Sequence, residues 1–252
     1  LSYQMQFHLK NTQKPKLSGS EKRLGLIGIN PFRKRLDWAF DLLERLNEDS
    51  GEDFSLHVKS MMPWDIGWVW ARTAEREKFE ALISRINSSR NRMNVVFDPP
   101  GNDVEIWLQK IGFILSTSDF ESFHMAVGEG IASGAFPIIR SWEDADNIWK
   151  GCVLHQDTSQ ASSQIKFFQK HQEKFVSYKQ MLRNECLARY DLPIVASKIA
   201  DLLLEGKSKP GSQKKPVGIQ KITKCLVFWA IGDFDVFHRK EMIEALAANL
   251  RG

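Results

Sequence analysis

Two short apolar runs, Gly112-Phe-Ile-Leu-Ser-Thr-Ser118 and Ala135-Phe-Pro-Ile-Ile139, enclose a segment whose apolar residues Phe123, Ala126, Val127 and Ile131 recur at helical spacing. The runs read as buried strands and residues 121–132 as a helix between them. In a strand, loop, helix, strand unit the carboxyl end of the first strand meets the amino end of the helix. A crevice forms there in which backbone N–H groups and the helix dipole favour an anion, phosphate above all.

The same segment carries two carboxylates, Glu121 and Glu129. Eight residues apart on one helix, they would stand about 80° apart around the axis and roughly 12 Å along it, which suits one extended ligand and excludes one shared metal ion. Gly128, Gly130 and Gly134 leave side-chain volume out where a ligand or a strand comes close.

The pattern Ser118-x-x-Glu121-x-Phe123-His124-x4-Glu129-x-x-Ala132-x-Gly134 resembles the glutamate-x7-glutamate signature of the glycosyl transferase group 1 family. These are retaining enzymes of GT-B fold that use nucleotide sugars. The resemblance implies that Glu121 faces the hydroxyls of the donor sugar. It also implies that the Phe123–His124 backbone lies beside the diphosphate and sugar, with Ser118 at the start of the motif, and that Glu129 binds the ribose hydroxyls. The resemblance covers roughly residues 20–206.

Ahead of this unit, Leu24-Gly-Leu-Ile-Gly28 is a short strand, residues 29–34 a loop, and residues 35–47 an amphipathic helix with Leu36, Phe40, Leu43 and Leu46 on one side. A lysine at such a junction reaches phosphate oxygens that the helix terminus already attracts, which singles out Lys34. The resembled family has glycine, arginine, four variable residues and lysine here, with both cations on the diphosphate. Gly28 and Lys34 keep that spacing, but Ile29 stands in the arginine's place. Arg33, Arg35 and Lys59 are the alternatives for the second charge.

Residues 54–60 alternate as a half-buried strand, residues 75–87 form a helix, and residues 94–97 form the next strand. Between them, Met61-Met-Pro-Trp-Asp-Ile-Gly-Trp-Val-Trp70 reads as a surface that packs on a neighbouring domain or covers a cleft. Asn102 or Asp103 is placed to cap the helix that holds Val104, Ile106, Trp107 and Ile111. The resemblance puts the turn from Phe97 to Gly101 near the nucleotide base. Residues 140–149 suggest a short helix, residues 152–154 a last strand, and residues 160–174, 175–187 and 192–204 three helices. Glu143, Asp144 and Asp146 supply too few converging oxygens for a hard cation, and the resemblance implies no metal or other cofactor.

Residues 1–23 read as a polar linker, residues 24–206 as the Rossmann-like nucleotide-sugar-binding domain, and residues 207–219 as a second linker rich in Lys, Ser, Gly and Pro. Residues 220–252 read as a strand and helix, docked or opening a further domain, and Asp233-Phe-Asp235 there reads as a turn. Alternation of strands and helices argues an α/β fold with a doubly wound parallel sheet and this C-terminal extension. The net charge of +4 comes from 35 basic and 31 acidic residues, a mixed surface that does not point to nucleic acid. Three widely spaced cysteines form no disulfide framework or zinc pattern, and no run approaches a membrane span, so a cytoplasmic setting is expected. The chain begins without methionine, and an acceptor-binding half that precedes it is expected to be missing.

The expected function is therefore the donor-binding half of a retaining glycosyltransferase. Its partners would be a nucleotide-diphospho-sugar and a glycan or other hydroxyl acceptor, with Glu121 and Lys34 in the catalytic roles. The alternative is a non-catalytic nucleotide-binding or scaffold module, favoured by Ile29. A Rossmann oxidoreductase fits poorly, because Gly25, Gly28 and Asn30 do not form a glycine-x-glycine-x-x-glycine turn.

Overall fold

The computed structural model describes residues 16–205. Six strands form one sheet: β1 (Arg23–Ile27), β2 (Ser55–Lys59), β3 (Val95–Asp98), β4 (Phe113–Ser116), β5 (Phe136–Arg140) and β6 (Leu154–His155). Every neighbouring pair is parallel, in the order β3-β2-β1-β4-β5-β6. The helices that accompany the sheet are α1 (Leu36–Ser50), α2 (Gly67–Trp70), α3 (Thr73–Ser88), α4 (Val104–Gln109), α5 (Met125–Ala132), α6 (Ala145–Ile148), α7 (Thr158–Lys170) and α8 (Gln172–Tyr190), and α9 (Leu192–Glu205) follows in the chain. Helices lie on both faces of the sheet, so the fold is the doubly wound parallel sheet expected from the alternation. Two compact units divide the chain between Cys186 and Leu187, and the candidate site lies in the unit that ends at Cys186.

The interior strands are buried on both faces, which is why β4 and most of β5 read as continuous apolar runs instead of alternating ones. Strand β2, next to the edge strand β3, alternates over its first four residues, with Leu56 and Val58 buried. Helix α1 buries Leu36, Phe40, Leu43 and Leu46, and it packs along α7. Helix α5 seats directly on β4, and Gly130 permits that approach. A Cβ there would lie 2.4 Å from the Ile114 side chain, so this glycine serves helix-to-strand contact.

Several expected boundaries move. Helix α5 begins at Met125, not at residue 121, because His124 adopts a left-handed backbone (φ 59) that interrupts the helical path. Glu121 therefore lies in the loop after β4, and the spacing of about 80° and 12 Å to Glu129 does not apply. Asp103 occupies the N-cap position of α4 but makes no cap bond; its carboxylate instead accepts from Lys59 Nζ at 2.8 Å. Residues 16–22 include a 3-10 turn, Ser20–Lys22, and Lys16 donates to the Leu108 carbonyl at 2.7 Å. In the tryptophan-rich segment Val69 is buried, whereas Trp64 and Trp68 are about half exposed. Residues 1–15, the 207–219 linker and the 220–252 extension with Asp233 and Asp235 lie outside the described residues.

Candidate active site at the switch point

Strand order reverses between β1 and β4, from which the sheet grows outward in opposite directions. In an open α/β sheet the crevice outside the carboxyl ends of such a pair is where ligands bind. Two loops line it here, residues 28–35 after β1 and residues 117–124 after β4.

The first loop is fixed from behind. Gly28 takes φ 78, which a glycine adopts without penalty, and its N–H donates to the Lys59 carbonyl at 3.0 Å. Ile29 N–H donates to Ser60 Oγ at 3.2 Å, and Phe32 N–H to Glu75 Oε2 at 2.7 Å. The Ile29 side chain is fully buried, so the position held by arginine in the resembled family contributes to the core.

The two loops are then stitched together. Thr117 Oγ1 donates to the Lys34 carbonyl at 2.5 Å, and Asp119 N–H to the Arg33 carbonyl at 2.9 Å. Asp119 Oδ1 accepts from Arg35 at 2.8 Å and from Arg140, at the carboxyl end of β5, at 2.5 Å. Burial alone would raise the Asp119 carboxyl, but these two guanidiniums hold it below the ordinary carboxylate range. Asp119 and Arg140 were not apparent from the sequence. Their only signals are a charge ending an apolar strand and a second acid two residues before Glu121.

At the centre, Lys34 Nζ pairs with Glu121 Oε1. Ser118, itself fully buried, donates its hydroxyl to the same oxygen at 2.7 Å, and Arg33 Nη1 stands 3.8 Å away. The Glu121 side chain is only 8% exposed. Burial works against its charge, yet the Lys34 bond and the Ser118 hydroxyl keep its carboxyl below the usual range. Lys34 and Glu121, 87 residues apart in sequence, are thus brought into contact.

The three alternatives for a second cation separate clearly. Arg35 is bound to Asp37 and Asp119, and Lys59 is buried against the Pro99 carbonyl and Asp103. Arg33 lies over the Phe120 ring at 4.5 Å and donates to the Phe120 carbonyl at 2.7 Å, beside Lys34 and Glu121.

His124 is buried at the amino end of α5. Its Nδ1 is 2.7 Å from Ser116 Oγ, while its Nε2 is buried with no hydrogen-bond partner. Burial, reinforced by the Lys34 charge, pushes its pKa down to about 4. An unfolded chain takes up this proton near pH 6.5, so the neutral imidazole stabilises the fold fully above that pH, and the contribution is lost as pH falls towards 4. Asparagine tolerates a left-handed backbone, and His124→Asn should flatten the decline in unfolding free energy between about pH 7 and 4 by on the order of 3 kcal/mol. Denaturant titrations at several pH values measure this, and equal slopes for the two proteins would contradict it.

Glu129 lies in the second turn of α5 and is 4% exposed. The Phe123 ring packs on Trp149 at 4.9 Å. Phe97, on the sheet-edge strand β3, is half-buried, and Gly101 is exposed in the following turn. Two strand spacings, roughly 10 Å, separate β3 from β1, so these residues border the crevice and do not line its centre. Among the described residues no group of three His, Cys, Asp or Glu side chains could hold a metal ion, and no helix is long and apolar enough to cross a membrane.

No protein-family model matches the chain, nor does any curated protein. Solved structures do. A mutant of S. aureus TarM in complex with Fondaparinux, alpha-GlcNAc-glycerol and UDP superposes with a TM-score of 0.59 at 16% identity, covering 77% of this chain and 37% of that one. Anabaena HepE in complex with UDP and glucose gives 0.58 at 12% identity, over 74% of this chain and 49% of HepE. Trehalose 6-phosphate synthase from Burkholderia multivorans gives 0.57 at 17% identity, over 86% and 50%. The chain thus spans between 37% and 50% of the length of these three proteins. At these identities the likeness is one of fold: the chain shares the parallel, doubly wound architecture of solved GT-B glycosyltransferase structures.

Proposed function

We propose that the switch-point crevice binds a nucleotide-diphospho-sugar, and that the chain is the donor-binding part of a retaining, hexosyl-type glycosyltransferase acting in the cytoplasm on a glycan or other hydroxyl acceptor. The observation that carries this is the meeting of Lys34, Arg33 and Glu121 at the carboxyl ends of β1 and β4, in front of the amino end of α5. Cations and a helix terminus suit a diphosphate, and a carboxylate beside them suits sugar hydroxyls.

In this reading Lys34 offsets charge developing on the departing diphosphate, and Arg33 supplies the second cation that Ile29 does not. Glu121 accepts hydroxyls of the sugar. Ser118 acts through Glu121 by fixing its carboxylate, and Glu129 accepts the ribose hydroxyls. Gly28 and the Phe123–His124 backbone border the diphosphate, and the turn from Phe97 to Gly101 borders the base. No metal or other cofactor enters the reading. The acceptor would be held by a separate N-terminal domain, so this chain by itself should bind the donor and transfer little of it. A non-catalytic nucleotide-binding module is the second reading, favoured by the burial of Ile29 where the resembled family has a phosphate-binding arginine.

Calorimetric titration against nucleoside diphosphates and their sugars tests the proposal. A carboxylate accepting two ribose hydroxyls makes charge-assisted bonds, so Glu129→Ala should weaken binding roughly tenfold or more while the fold persists. Unchanged affinity would remove Glu129 from the site.

A further inference from the structure

Three groups compete within the crevice before any ligand arrives. Lys34, the natural phosphate cation, is already paired with Glu121, and the same carboxylate oxygen is anchored by Ser118 and faced by Arg33. Asp119, the other nearby acid, is taken up by Arg35 and Arg140. One carboxylate against Lys34 and Arg33 leaves the centre with about one net positive charge. Glu121 is mostly desolvated, so its charge is poorly screened there.

The two ligands such a site meets differ at one atom. In a nucleotide sugar the outer phosphate is substituted twice, by the anhydride bridge and by the sugar ester, and carries one charge. In the bare nucleoside diphosphate it is substituted only by the anhydride bridge and carries roughly 1.5–2 charges near neutral pH. A sugar places hydroxyls against Glu121, whereas the bare diphosphate places additional negative charge there.

We propose that Glu121 is a specificity-determining residue that makes the crevice prefer glycosylated over bare nucleoside diphosphates, through a fixed carboxylate that disfavours the exposed outer phosphate and competes with it for Lys34. The inference rests on the crevice being a nucleotide-sugar site. It adds to that reading a way for the by-product to leave: once the sugar has gone, Glu121 reclaims Lys34.

The test is calorimetry on the whole chain with UDP, GDP and ADP and the glucose ester of each. The unaltered chain should bind the glucose ester of its preferred nucleotide more tightly than the bare diphosphate. Glu121→Gln keeps the shape and the acceptor for Ser118 but removes the charge. It should tighten the bare diphosphate by roughly three- to tenfold, with a gain that shrinks as salt is added, and should narrow or reverse the preference. A merely structural role for Glu121 would weaken both ligands, and bare diphosphate binding that is weaker or unchanged in Glu121→Gln overturns the inference while leaving the nucleotide-sugar reading intact. Failure of the unaltered chain to bind any ligand of the panel overturns that reading, and the inference with it. Should Glu121→Gln not fold, Ser118→Ala releases one anchor of the carboxylate and should narrow the preference in the same direction, and an unchanged preference overturns the inference.

Discussion

Replacing Lys34 with alanine should lower affinity for nucleoside diphosphates by about 10- to 100-fold, the loss of one charge-assisted contact in a partly desolvated crevice. Affinity for the free nucleoside should hardly change. The diphosphate deficit should shrink as salt rises, because the ionic contribution being removed is itself screened. The structure adds a complication that a solvated lysine would not bring. Lys34 neutralises Glu121, whose side chain is 8% exposed, so Lys34→Ala strands a largely buried carboxylate and should also lower the melting temperature. The two effects separate in Lys34→Met with Glu121→Gln, which removes both charges. Stability should then recover while diphosphate binding stays lost. Recovery of binding together with stability would show that Lys34 acts only through the fold.

The largest effect on stability should come from the amino ends of the central strands, opposite the crevice. Gly112 opens β4, its N–H donates to the Arg23 carbonyl at 3.1 Å, and its carbonyl accepts from Phe136 at 2.7 Å. A Cβ on Gly112 would sit 2.1 Å from the Ser20 carbonyl oxygen and 2.8 Å from the Ser20 carbonyl carbon. These are backbone atoms of the Ser20–Lys22 turn, which cannot yield by changing a rotamer. Gly112→Ala should therefore destabilise by about 3 kcal/mol or more, at the upper end of overpacking costs. Gly28→Ala is the control. Gly28 is left-handed at φ 78 with nothing within 4 Å of its Cβ direction, so it should cost only the backbone penalty of about 1–2 kcal/mol. Chemical denaturation of the two variants compares them, and a Gly112→Ala cost no greater than that of Gly28→Ala would contradict the packing argument.

Much of the fold was legible because burial imposes its own pattern. Strands β1, β4 and β5 are covered on both faces and so appear as unbroken apolar runs, while α1 and α3 show the spacing of helices with one covered side. What misled was the start of α5. Phe123 extends the helical spacing backwards, but its ring is directed to Trp149, and the turn that ends the helical path lies on His124. Histidine gives no local sign of a left-handed backbone, as glycine would have done.

The candidate site was legible as residues to examine and not as a set of contacts. Glu121, Glu129, Gly28 and Lys34 stand out through the resembled motif, whereas the pairing of Lys34 with Glu121 joins loops 87 positions apart. The choice among Arg33, Arg35 and Lys59 depends largely on partners of the same kind: Asp119, 84 positions from Arg35, and Asp103, in the turn after β3, occupy two of the three cations, and only Asp37 is a local partner of Arg35. The exposure of Trp64 and Trp68 is likewise a tertiary outcome, since the segment that carries them also buries Pro63 and Val69.

Whether a nucleotide sugar sits at the switch point is read from amide chemical-shift changes on the isotopically labelled chain as the tightest-binding nucleotide sugar of the panel is added. Saturable shifts should concentrate in residues 28–35 and 117–130 and be attenuated in Lys34→Ala, with Gly112 and Gly19, which precede the amino ends of β4 and β1, unchanged. Shifts that gather around Gly112 and Gly19, or no saturable shifts with any nucleotide sugar, would contradict binding at the switch point.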